Sequence, residues 1–288
     1  MQLKKKNLHK ALALLGGVAM LFSVGAKAAD LPEIEKAGVL KIATEDDYAP
    51  FNFMKDGQPD GFHKDVLDEL KTYAKTFKLD QSILPWTGLL AAVSAGQYDI
   101  AITGALVTDE RLKVFNFAYP FASAQSYYVK RAGDDSIKSV ADLSGKTLGV
   151  QAGSALLSRL PELKAMLAKT GGKLGEVVEY QSYPEAYADL ANGRLDYVVD
   201  AVIPINSLVK TRAGVFEKGQ PVSGGGFVCW PIPKNSPKLL EYMNGFMKHL
   251  KESGKLHELQ IKWFGEPFDN LPQEAITTAE QFHKLAGL

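Results

Sequence analysis

The chain has 288 residues with 33 basic and 33 acidic side chains, and its first 28 residues hold five lysines and no acid. The rest therefore carries 28 basic against 33 acidic residues, a mildly negative balance that argues against nucleic acid or anionic lipid as a partner. The single cysteine, Cys229, excludes an internal disulfide and a cysteine-based metal cluster, and within Phe227-Val228-Cys229-Trp230 it is expected to be buried and inert.

Lys4, Lys5, Lys6 and Lys10 open the chain, the apolar run Ala11 to Val24 follows, and Ala26-Lys27-Ala28 precedes Ala29-Asp30. That order of basic, apolar and small residues predicts a cleaved secretory signal over residues 1–28 and a periplasmic protein. The apolar run is shorter than the ~20 residues of a membrane span, and no cysteine follows it for a lipid anchor. About 260 residues remain, enough for one large domain or two lobes of about 100–150 residues each.

Short β-like runs alternate with helical stripes, which predicts an α/β fold. Leu40–Thr44 reads as a first strand, and Val66, Leu67, Leu70, Tyr73, Ala74 and Phe77 keep helical spacing. A helix carrying Leu89, Leu90 and Val93 leads into a strand over Asp99–Thr103. Further strands are expected at Thr147–Gln151, Val177–Tyr180 and Tyr197–Asp200. Leu239, Leu240, Met243, Phe246, Met247 and Leu250 form one helical stripe, and a shorter helix runs toward Trp263-Phe264-Gly265. Leu89–Thr103 and Ala186–Asp200 echo each other: a helix ends near a glycine, an Asp comes three residues later, and an apolar strand follows. Any α/β protein repeats such units; alternatively, two lobes of similar build place Thr103 and Asp200 at equivalent strand ends, where ligands collect in open α/β sheets.

Thr108 is a suitable N-cap, with Asp109, Glu110 and Arg111 in the turn after it. A cation in a first turn opposes the helix dipole, so Arg111 points to a nearby anion, either a ligand carboxylate gripped by its planar fork or an acidic neighbour. Gln151-Ala152-Gly153-Ser154-Ala155-Leu156 is a strand running through a Gly-Ser turn into a helix, where Ser154 is either a plain N-cap or part of a second anion-binding jaw. Tyr48, Phe51 and Trp86 are candidate walls or core residues. Glu45, Asp46 and Asp47 form an acidic run at the end of the first strand.

Signatures of catalysis are scarce. Gly145-Lys146-Thr147 ends like a phosphate loop, but Val140 stands where its leading glycine belongs. His257-Glu258 lacks the second histidine of a zinc-protease helix, and the five histidines do not fall at metal-ligand spacing. No nucleophile elbow or dinucleotide fingerprint is present. No cofactor and no metal is expected.

Taken in order, Gly38–Thr44, Tyr48-Ala49-Pro50-Phe51, Asp60-Gly61-Phe62 with Asp65, Trp86-Thr87-Gly88-Leu89 and Thr108-Asp109-Glu110-Arg111 resemble the polar amino-acid family of periplasmic substrate-binding proteins that serve ABC transporters. Phe117–Phe121, Leu143-Ser144-Gly145-Lys146, Gly193-Arg194-Leu195-Asp196 and Trp263-Phe264-Gly265 extend the resemblance from about Gly38 to Gly265. It implies a two-lobe Venus flytrap with two crossing hinge strands. Residues 29–124 and 225–288 would form lobe 1 and residues 125–224 lobe 2, with crossings near Ala124 and Gly224-Gly225-Gly226. It also implies that Arg111 grips a ligand α-carboxylate, helped by the backbone N–H groups of Leu106 and Ala155 beside Ser154. The Gly104 carbonyl and Asp200 would hold an ammonium, near Thr103. Tyr48 and Trp86 would sandwich the ligand, and Glu45 would meet its side chain.

Three positions depart from the family pattern. Leu106 replaces a frequent Ser or Thr, and His63 replaces a common acid. Asp200 falls one residue early, with Ala201 in the usual slot; a local bulge could restore Asp200 to the cleft, which its match with Thr103 in the internal echo supports. The expected function is capture of an amino acid, an opine-like conjugate or a related carboxylate by a monomer that hands it to an inner-membrane ABC permease, without chemistry. The alternatives are an enzyme on the same scaffold, like the cyclohexadienyl dehydratases with Glu45 or Asp200 moving a proton, and a diffusible sensor of ligand.

Overall fold

The computed structural model describes residues 28–288, so the signal peptide expected over residues 1–28 lies outside the described residues except for Ala28. Asp30 caps the first helix, Leu31–Ala37, by accepting from the Leu31 N–H, and the same carboxylate accepts from Leu239 N–H at 2.8 Å. One side chain thereby joins the start of the described chain to the long helix Pro237–Glu252, whose buried stripe is the one read from the sequence.

Two larger sheets follow, beside three two-stranded pairs. In the first, the strand Val39–Glu45 lies between Lys78–Leu84 and Ile100–Ala101, all parallel, with Glu45 opposite Leu84 and Ala43 opposite Ala101. The helix Phe62–Tyr73 stops at Ala74, whose ψ of 118° is extended, so Phe77 lies beyond the helix despite its spacing. Trp86 stands ahead of a break at Thr87 and Gly88, after which the chain turns regularly helical through Ser94.

The second sheet has five strands in the order Val177–Tyr180, Leu148–Gln151, Tyr197–Ala201, Ser126–Arg131, Phe216–Pro221. The first three are parallel and the last two antiparallel to their neighbours. Ser126–Arg131, Phe216–Pro221 and the helix Val202–Thr211 are additions to the elements expected from the sequence. The strand pair Tyr197–Ala201 and Ser126–Arg131 keeps an unbroken register from Tyr197 opposite Lys130 to Ala201 opposite Ser126. No bulge turns Asp200 in this strand pair; the register shift of this sheet falls between Lys218 and Pro221.

The chain passes between the sheets twice. Ala122–Ser123 pairs with Phe227–Val228, Ala124 N–H donates to the Gly226 carbonyl at 2.9 Å, and Ser126 N–H donates to Ser223 Oγ at 2.9 Å. Arg159 adds a clamp: its guanidinium donates to the Gly224 carbonyl at 3.0 Å and pairs with Glu162, which accepts from Gly224 N–H. Cys229, one step past this crossing, is fully buried, and burial pushes its thiol up.

Candidate functional site

The facing ends of both sheets meet at a seam. On the first sheet, Glu45 ends its strand and Thr103 follows the strand Ile100–Ala101; Thr103 Oγ1 donates to Glu45 Oε2 at 3.1 Å. Gly104 must be glycine, because a Cβ there would meet the Phe51 ring at 2.6 Å and Tyr48 at 3.0 Å. The turn after Glu45 presents Tyr48, whose N–H donates to the Asn52 carbonyl. Asn52 is itself fixed by His63 at 2.8 Å, and Trp230 Nε1–H donates to the other ring nitrogen of His63 at 3.1 Å. Burial lowers the pKa of His63 to about 3, so the ring is neutral and acts as a spacer in the core rather than as a charge in the cleft.

Thr108 Oγ1 accepts from Arg111 N–H at 3.2 Å, the N-cap expected from the sequence, and sets the short helix Asp109–Leu112. Arg111 Nη1 then donates to the Leu106 carbonyl at 2.8 Å and its guanidinium lies 5.0 Å over the Trp86 ring. The other arm, Nη2, reaches across the seam to the Gly153 carbonyl at 3.4 Å. Its partners are carbonyls and a ring face; no carboxylate pairs with it among the described residues. Although the residue keeps some contact with solvent, enclosure of the charge by protein lowers its pKa to about 10.

From the second sheet, Ser154 Oγ accepts from Leu157 N–H at 3.1 Å and caps the turn that begins at Ala155. Gln151 donates to Glu45 Oε1 at 3.4 Å across the seam, and Tyr183 stacks on Tyr48 with ring centroids 5.5 Å apart. Thr87 Oγ1 donates to Gln181 Oε1 at 2.9 Å, a further bond between the lobes. Buried Glu45 is pushed up to about 8, with the hydrogen bonds from Thr103 and Gln151 offsetting part of the burial.

Glu45, Tyr48, Trp86, Gly104, Leu106 and Arg111 surround one cavity together with Ser154 and Ala155. Thr103 stands behind it, on Glu45. With the lobes together the space left is about 10 Å³, the room of a single water, so anything larger enters only when they part. Asp200 is not in this cavity. It is fully buried and lies beyond the Tyr48–Tyr183 pair, accepting from Tyr48 Oη at 2.9 Å, from Tyr187 Oη, and from Ala201 N–H at 2.6 Å. Burial pushes its carboxyl up to about 7 against those three donors.

Gln151, Leu156 and Tyr183 complete the cavity; Gln151 and Leu156 end the segment read as a candidate second jaw, whose named contacts are Ser154 and Ala155, and Tyr183 is absent from the sequence reading. A signal existed for each: Gln151 and Leu156 bracket the Gly-Ser turn, and Tyr183 follows the carboxyl end of a strand, where ligands gather. Among the described residues no group of three or more acids, histidines or cysteines is placed to hold a metal.

A profile of the family described as bacterial extracellular solute-binding proteins, family 3, matches residues 40–266. The L-arginine-binding protein of Pseudomonas aeruginosa is 31% identical over 271 residues, covering 88% of this chain and 96% of that one. The L-cystine-binding protein TcyJ of Escherichia coli is 29% identical over 266 residues, covering 88% and 95%. Among solved structures, an ancestral amino acid-binding protein described as a precursor of cyclohexadienyl dehydratase superposes with a TM-score of 0.71 at 27% identity, over 81% of this chain and 98% of that one.

Proposed function

The chain belongs to the bacterial extracellular solute-binding proteins of family 3, and on that premise we propose that it captures an amino acid or amino-acid-like carboxylate by lobe closure and delivers it to an ABC importer. The observation that carries this reading is Arg111: a cation enclosed at the seam, bonded to carbonyls of both lobes and lacking a carboxylate among the described residues. A carboxylate in the fork of an arginine makes charge-assisted bonds roughly twice as strong as neutral ones, so an anionic ligand replaces the weaker carbonyl contacts with profit to the closed form. Closure follows because the ligand binds that form better than the open one. The relatives that bind L-arginine and L-cystine support an amino-acid head on the ligand.

In the same reading residues 29–124 with 225–288 form one lobe and 125–224 the other. Glu45, Tyr48, Trp86, Gly104, Leu106, Ser154 and Ala155 contact the ligand around Arg111. The mature protein works as a periplasmic monomer after removal of residues 1–28, and an inner-membrane permease reads its closed shape. The test is a thermal-shift screen of protein refolded to strip carried-over ligand, against the standard amino acids, opines and simple organic acids. A selective rise with one group of carboxylates supports capture; no rise with any of them removes it.

A second reading is favoured by one feature, two buried acids near neutral pKa in the seam, Glu45 at about 8 and Asp200 at about 7. Such groups move protons in elimination chemistry. Incubation with prephenate or arogenate decides it: product absorbance establishes an enzyme, and its absence leaves a binder.

A further inference from the structure

Beyond the wall made by Tyr48 and Tyr183 lies a second cavity of about 230 Å³, which those two rings share with the Arg111 cavity. Its volume is close to the lower bound of small-molecule pockets, ~300 Å³, so it has room for an amino-acid-sized group and not for a whole large ligand. The wall itself is split, one ring from each lobe, stacked at 5.5 Å. When the lobes part the two halves of the wall separate, so a ligand can lie across it before they close again.

The charges around this second cavity are incomplete in a particular way. Asp47 stands on the lobe 1 side and Arg212 on the lobe 2 side, and neither forms an ion pair among the described residues. Half-buried Asp47 has its carboxyl pushed up by burial and by the neighbouring Asp46 and Glu185, so it lacks a cation that would relieve it. Arg212 rests over the Phe216 ring at 4.8 Å, which leaves its donors for another partner. Asp200, also in the lining, already accepts from Tyr48, Tyr187 and its neighbour's N–H, which fill most of its acceptor sites and leave Asp47 as the more available acid.

We propose that this second cavity receives the distal end of a long ligand, an α-amino acid whose side chain terminates in a second zwitterionic head, while the first head sits at Arg111. The distal ammonium faces Asp47 and the distal carboxylate faces Arg212, so the two lobes each hold one charge of the same head and closure completes its site. The linker between the heads runs between Tyr48 and Tyr183 and takes the place of part of their stacking. This inference rests on the capture reading above and specifies its ligand as a two-headed amino acid.

The test compares two-headed ligands, L-cystine and L-cystathionine, with S-propyl-L-cysteine, which shares the first head and the sulfur but ends in a methyl group. Calorimetry on the wild-type protein should give about tenfold tighter binding for at least one two-headed ligand, the worth of one charge-assisted contact. Arg212→Gln removes the lobe 2 charge, and Ser207→Trp fills the cavity from the half-buried face of the helix Val202–Thr211. Both variants should erase that preference and leave S-propyl-L-cysteine binding unchanged, which also shows that they fold. Equal wild-type affinities for the two kinds of ligand, or equal losses for both in the variants, overturn the second compartment and leave capture at Arg111 standing. Binding only of carboxylates that are not amino acids also overturns the second compartment, whereas the capture reading itself falls only if no carboxylate of the screen binds.

Discussion

Arg111 and Asp200 lie on either side of the Tyr48–Tyr183 pair, and the fold equips them in opposite ways. Arg111 is given carbonyl oxygens and a ring face, partners that hold its position without cancelling its charge. Asp200 is given two phenol hydroxyls and a backbone N–H, which use most of its acceptor sites from within the protein. One end of the seam therefore calls for an anion from outside, and the other is complete as it stands. The difference teaches that a buried charge marks a ligand contact by the partners it lacks, more than by its burial.

Removing the unsatisfied end should have the largest effect. Arg111→Ala is expected to weaken every carboxylate ligand by roughly 2–5 kcal/mol, the range for breaking a buried hydrogen-bonded charge pair. Calorimetry with several ligands checks it, and unchanged affinity would take Arg111 out of the site.

The first lobe's own acid, Glu45, tests what burial does without an external partner. A carboxyl that ordinarily titrates near 4.5 is held up to about 8 in the fold. Between those values the folded protein keeps a proton that the unfolded chain has released. The stability from this group is thus full below pH 4.5 and lost as pH rises to about 8. Asp200 adds a slope of the same sign between its usual 3.8 and about 7. Glu45→Gln, which is neutral at every pH, should flatten part of this fall and stabilise the protein at pH 8.5 by about 2–3 kcal/mol relative to wild type. Urea unfolding at pH 5.5 and 8.5 measures it; a variant that retains the whole wild-type slope would show that Glu45 is not the titrating group.

Asp200→Asn sharpens the comparison from the satisfied end. Asparagine keeps one acceptor oxygen for the tyrosines and loses the charge, so the bond from Tyr48 across the seam weakens without vanishing. A loss of about 1 kcal/mol is expected, the net worth of one hydrogen bond. It should be the same for a ligand and its deaminated analogue, since Asp200 is spent on tyrosines. A loss confined to the aminated ligand would instead assign Asp200 the ammonium role that family resemblance implies.

How far these features could be read in the sequence depended on whether a residue's neighbours in the chain are also its neighbours in space. The stripe Leu239 to Leu250 is local, and it forms one buried helix face. Thr108 and Ser154 act within three residues, so their caps were legible. Lys78–Leu84 was not, because as an outer strand it exposes half its side chains and reads as a polar stretch. Phe216–Pro221 hides behind Gly219, which looks like a turn residue; a Cβ there would meet the Tyr128 ring of the next strand at 1.9 Å. Tyr183 and Tyr187 have the spacing of an ordinary core stripe, and only the partner lobe's Tyr48 and the far strand's Asp200 give them their roles. Asp200 teaches the same lesson: side-chain counting along one strand turns it from the cleft unless a bulge intervenes, whereas Tyr48 comes from the opposite lobe to meet it in an unbroken register.

The smallest expected effect separates the two jaws at Arg111 from each other. Thr108 caps the turn that carries the arginine, and Ser154 caps the turn that faces it across the seam. Ser154→Ala should cost about 1 kcal/mol of stability, the usual value of an N-cap side chain, whereas Ser154→Gly should cost only a few tenths. If Ser154 does no more than cap, ligand affinity should follow the same order, with the glycine variant close to wild type. If its hydroxyl also meets the ligand carboxylate, both variants lose affinity equally although their stabilities differ. Measuring unfolding and calorimetric affinity on the same two proteins therefore tells a jaw that only shapes the cleft from one that grips.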